Sequence, residues 1–113
     1  MKGILVKSNG EIREAEFLSA IAVTEKIGCV PQRTPILDDY MMVHGNNAKL
    51  PVNRIAGSIL GTTVYGDAVI ARNAHRAPGV RMISLDDMDV QQLALVLADA
   101  EEELKEKAAL ACG

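Results

Sequence analysis

Residues 50 to 72, LPVNRIAGSILGTTVYGDAVIAR, hold a helix start, a helix stop and a second glycine turn in one short block, and the rest of the chain is read outward from them. An extended Leu50-Pro51-Val52 leads into Asn53, whose side chain suits the cap of a short helix bearing Ile55, Ala56, Ile59 and Leu60. Gly61 ends that helix, since the closing residue commonly takes a positive φ that glycine adopts without penalty. Gly66-Asp67 then turns the chain into a strand near residues 68 to 72.

Toward the N-terminus, Gly3 to Lys7 is a β-branched run that reaches Ser8-Asn9-Gly10, a hairpin turn because Asn and Gly tolerate positive φ. Its return strand ends near Glu16, so the first hairpin spans about residues 3 to 16. Leu18, Ile21, Ala22, Glu25 and Lys26 follow a helical period, with Ser19 near the start and Gly28 as the stop. Two prolines make Cys29 to Pro35 irregular, and a second hairpin is expected over about residues 36 to 52, turning at Gly45-Asn46-Asn47.

Beyond the block, Asn73 to Arg81 reads as an exposed loop built on Pro78-Gly79. The last element is a long helix: Asp86 caps it, Asp89 sits three residues on, and Leu85 staples onto Val90. Val90, Leu93, Leu97, Ala100 and Leu104 draw one apolar stripe, widened by Leu95 and Val96, that needs a sheet to cover it. The fold class is therefore α+β in a single domain, a small mixed or antiparallel sheet with two short helices and the long C-terminal helix packed on it.

Composition bounds the function. The 113 residues are 49% apolar with one Phe, two Tyr and no Trp, so the core is aliphatic. A net charge of −3 argues against general nucleic-acid affinity, which needs a basic surface. The distribution is uneven: residues 44 to 81 carry an excess of +4, whereas residues 86 to 113 carry −6. That asymmetry fits an anion-facing centre, two surfaces that attract across a subunit contact, or plain solvated faces. Cys29 and Cys112 form no disulfide framework or zinc spacing and suit a reducing compartment. The opening apolar run breaks at Asn9-Gly10-Glu11 before signal-peptide length, and no segment is long enough to span a bilayer, so a cytosolic protein is expected.

No catalytic or metal constellation stands out. His44 and His75 lack ligand neighbours, the Asp38-Asp39 carboxylate pair lies beside no nucleophile, and the glycines at 57, 61 and 66 match neither phosphate-loop pattern. No cofactor is implied. The residues suited to chemistry are cationic: Asn53 with Arg54 at a helix start, and the loop of Arg72, His75, Arg76 and Arg81. Together they make an anion site if they converge; otherwise Asn53 is a cap and Arg54 a surface side chain.

The central block resembles domain of unknown function 3846, small proteins common on phage genomes and prophages, through Leu50, Pro51, Asn53, Arg54, Ala56, Gly66, Asp67 and Val69. The family carries no established activity, so the resemblance implies a phage or mobile-element origin rather than a mechanism. By analogy of origin, a non-enzymatic accessory protein is expected, binding a small nucleotide-type anion or a host protein. A nucleic-acid-associated factor and a small hydrolase are the alternatives. A two-fold homodimer is also expected, because a small domain with a wide apolar helix gains stability from a partner.

Overall fold

The computed structural model describes residues 1–27, 31–45, 47–74 and 81–112. Its elements run β1 (Lys2–Val6), β2 (Ile12–Glu16), α1 (Ala20–Ile27), β3 (Gln32–Ile36), β4 (Tyr40–Gly45), α2 (Arg54–Leu60), β5 (Tyr65–Ala74), β6 (Arg81–Ile83) and α3 (Asp87–Cys112). The strands form one antiparallel sheet in the order β2-β1-β5-β4-β3, and β6 pairs with Arg72 to Ala74 of β5, beyond the stretch that β1 occupies. The class is α+β. No described helix is long and apolar enough to cross a membrane.

Alternation along the strands divides the core in two. Ile4, Val6, Tyr40, Met42, Ala68 and Ile70 face α2 and α3, and Leu93, Leu97 and Ala100 of α3 close over them. Leu5, Met41, Val43, Val69 and Ala71 face the other way, where Val23 and Ile27 of α1 cover them. The central strands are thus buried on both faces and read as continuous apolar runs. Helices flank the sheet on either side.

Several expectations about local structure are corrected. Gln32 to Ile36 is a strand rather than irregular chain, and Pro35 fits there because β3 lies at the sheet's edge, where a residue without an N–H is tolerated. The second hairpin spans residues 32 to 45 and turns at Leu37 and Asp38, which take φ of 50° and 64°. Gly45 pairs with Tyr65 instead of turning. The strand expected near 68 to 72 runs from Tyr65 to Ala74, so Gly66 lies inside it. Helix α1 seats Val23 and Ile27 on the sheet, leaving Ile21 at 70% exposure on its outer side, and Leu18, just before the helix, is 99% exposed. The expected stop, Gly28, lies outside the described residues, as does Cys29.

The C-terminal helix begins with reciprocal bonds: Asp89 N–H donates to Asp86 Oδ1 at 2.8 Å, and Asp86 N–H to Asp89 Oδ2 at 3.0 Å. Val90 and Leu104 join the core at its margin, and Leu85 is buried in the same core, but Leu95 points outward at 70% exposure. The edge strands β2 and β3 resist extension, β2 through Arg13, Glu14 and Glu16, and β3 through Pro35.

Candidate functional site

Most of the central block is committed to holding the fold together. Asn53 is fully buried, and its Oδ1 accepts from Ala56 N–H at 3.1 Å while Nδ2 donates to the carbonyls of Val6 and Gly66, each at 2.9 Å. One amide therefore caps α2 and ties it to β1 and β5. Its backbone N–H donates to Val64 O at 2.7 Å, and Gly66 N–H returns to Pro51 O at 2.7 Å. Gly66 takes a φ of 78°, which favours glycine, and a Cβ there would also press on the tip of the Leu50 side chain, which has room to give way. Asp67 Oδ1 accepts from Ser8 N–H at 3.0 Å, which pins the first hairpin. Gly61, at φ 71°, ends α2.

Arg72 is committed as well. It neighbours Tyr40 across the ladder, and both meet Asp89, a carboxylate only 8% exposed. Arg72 Nη1 lies 3.3 Å from Asp89 Oδ2 and 3.7 Å from Asp86 Oδ2; the Tyr40 hydroxyl donates to Asp89 Oδ1 at 2.8 Å and lies 2.8 Å from Gln92 Oε1. Burial, reinforced by the bonded carboxylate, pushes the Tyr40 hydroxyl up to about 12, so it stays a donor. Burial opposes ionisation of Asp89 too, but the Asp86 backbone, Tyr40 and Arg72 outweigh it and hold the carboxyl below its ordinary value. Part of the +4 segment is thus balanced by part of the −6 segment inside one chain.

This network predicts an acid dependence. Because the folded state depresses the Asp89 pKa, its contribution is complete above the unfolded value of about 3.9 and is lost as pH falls through the folded value. Asp89→Asn removes the charge opposite Arg72, whose side chain is 40% exposed and can recover hydration. The expected cost is about 1 to 3 kcal/mol at neutral pH, with a stability profile flatter than wild type below about pH 4. Chemical denaturation across the acid range checks it: parallel profiles for the two proteins would remove Asp89 as the acid-sensitive group.

Arg54 is different. It is exposed, and no hydrogen bond or ion pair ties it to a described residue. It lines a notch of about 300 Å³ between the Lys7 to Gly10 turn, the start of α2 and the far half of α3. Lys7 and Lys105 line the same notch, with Glu101 as its acid. Lys7 also pairs with Glu11 at 3.4 Å. A second hollow on the other side of Arg54 is lined by Thr62, Thr63 and Lys107, and Lys107 pairs with Glu103 at 3.2 Å.

The expected anion site does not assemble as a whole. Asn53 is buried and its amide is fully bonded, which leaves nothing for a ligand. Arg54 stands beside Glu101 and Lys105, whereas Arg72 meets α3 at Asp86 and Asp89, so about 18 Å of helix separates them at the usual 1.5 Å per residue. His75 and Arg76 lie outside the described residues, and Arg81 is placed by its backbone in β6, opposite Ala74 of β5. Lys7 and Lys105 are additions that no spacing in the sequence announces, since the fold alone brings three distant segments to one notch. His44 is buried, with Nε2 2.8 Å from Thr34 Oγ1. Among the described residues no group of three or more His, Cys, Asp or Glu is placed to hold a metal.

The fold is α+β, with a surface notch lined by Arg54, Lys7 and Lys105 beside Glu101. No family model, curated protein or solved structure matches the chain.

Proposed function

We propose that this is a non-enzymatic binding protein, of the phage or prophage accessory kind that the central block resembles, and that it binds a small nucleotide-type anion at Arg54. The observation that carries this reading is a division of labour within the block: Asn53, Gly66 and Asp67 are spent on internal bonds, while exposed Arg54 lines a notch that Lys7 and Lys105 also line. The support is the convergence of cations from three elements and owes nothing to the helix start, whose Ala56 and Gly57 N–H groups are already occupied. A guanidinium fork suits a phosphate, and two lysines beside it add charge without fixing geometry.

Arg54→Ala is then expected to weaken binding by about 1.5 to 3 kcal/mol, roughly tenfold to a hundredfold, with stability changed by less than about 0.5 kcal/mol because the side chain is exposed. Arg72→Ala is expected to leave affinity unchanged, since it serves the Asp89 network instead. Calorimetry with mononucleotides and cyclic nucleotides tests this directly. No heat from any of them, or equal affinity in wild type and Arg54→Ala, returns Arg54 to the role of a surface side chain.

A further inference from the structure

A second surface on the opposite side of α2 has a different character. Between β3, α2 and α3 runs a cleft of about 430 Å³ with walls formed by Pro35, Ile36, Ile59, Leu60 and Val96. Its charged residues are both acids, Asp99 and Glu103. Glu103 is held by the Ser58 hydroxyl at 3.2 Å and by Lys107, which leaves Asp99 without an ion pair among the described residues. Leu37 stands at the mouth, 58% exposed, at the tip of the second hairpin. Its φ of 50° lies in the left-handed region, where a bulky residue is an outlier and Asn or Gly is at ease. Leucine there carries backbone strain while its aliphatic side chain stays exposed, and such outliers cluster at functional sites.

From the cleft, its acid and the strained leucine, we propose a docking site for a protein segment that carries an aliphatic anchor beside a lysine or arginine. The apolar walls and Leu37 bury the anchor; Asp99 meets the flanking cation, which specifies the partner's sign. A second copy of this chain is the poorer occupant, because its net charge is −3 and the long helix that lines the cleft carries an excess of acids. The surface is separate from the Arg54 notch.

Selection from a displayed random dodecapeptide library against the full chain tests the proposal. The enriched peptides are expected to combine Leu, Ile or Met with Lys or Arg, and a synthesised representative is expected to bind about tenfold or more weakly to Leu37→Asn and to Asp99→Lys, and equally to Arg54→Ala. Leu37→Asn keeps every charge and suits the backbone, so its melting temperature is expected to match or exceed wild type; this separates a lost anchor from a lost fold. No enrichment, enrichment without the basic and aliphatic pattern, or undiminished binding to Leu37→Asn overturns the assignment. Equal loss on Arg54→Ala overturns it too, because the peptide would then be reading the other site.

Discussion

Asn53→Ala is expected to cost about 3 to 5 kcal/mol, more than any surface change in this chain. The side chain does three jobs from one buried position: it caps α2 through Ala56 N–H and donates to the Val6 and Gly66 carbonyls. A lost cap accounts for about 1 kcal/mol, and each donor withdrawn from a buried carbonyl adds about 1 kcal/mol or more, because the oxygen is left dry. The void left by the amide adds to this. Asn53→Asp sharpens the test, since it keeps the capping oxygen but sets a carboxylate against two carbonyl oxygens at 2.9 Å in a dry site. It is therefore expected to be no more stable than Asn53→Ala despite its better cap. Urea midpoints for both variants decide: a loss of only about 1 kcal/mol in Asn53→Ala would show that the cap alone matters.

How far the fold was legible depended on whether the deciding interaction was local. Asn53 and Gly61 bound a helix because a cap and a left-handed stop act within a few residues, and Asp86 with Asp89 starts α3 for the same reason. The positions that misled were settled by tertiary context. Pro35 argues for irregular chain until β3 is known to be an edge strand. Gly66-Asp67 has the composition of a turn, yet it lies within β5 where the register with β4 shifts between Val43 and Gly45, and the Pro51 carbonyl holds the Gly66 N–H there. Around α1 the stripe through Leu18 and Ile21 competes with the one through Val23 and Ile27, and only the underlying sheet shows which is covered, since Leu18 falls before the helix begins.

The site was less legible still. Arg54 was identifiable from its position beside Asn53, but charge counted along the chain grouped it with Arg72, which the fold assigns to Asp89. Tyr40 had no sequence signal to link it with Asp89, because a cross-strand neighbour and a helix start meet only once the sheet has formed. Lys7 and Lys105 share that difficulty.

The second large effect comes from the α3 stripe, where Leu93→Ala and Leu97→Ala are expected to differ although the chemistry is the same. Both side chains belong to the core under α3, with Leu93 fully buried and Leu97 at 4% exposure. Their surroundings differ in one respect: Leu97 borders a groove of about 320 Å³ beside β2, lined also by Ile12, Val90 and Ala94, whereas Leu93 lines neither this groove nor the other hollows described above. Truncation always forfeits the transfer free energy of the lost methyl groups, but the further penalty depends on whether neighbours or water can fill the space. Beside an open groove the space joins solvent and flexible neighbours relax into it, so Leu97→Ala is expected to fall near the low end of the usual range, about 2 to 3 kcal/mol. Leu93 is enclosed on the sheet side by strands packed on both faces, which leaves a true cavity and a cost of about 4 to 5 kcal/mol. Denaturation midpoints at unchanged slope measure both values. If Leu97→Ala proves the more costly, the groove is closed in solution; if neither shifts the midpoint, α3 does not cover the sheet.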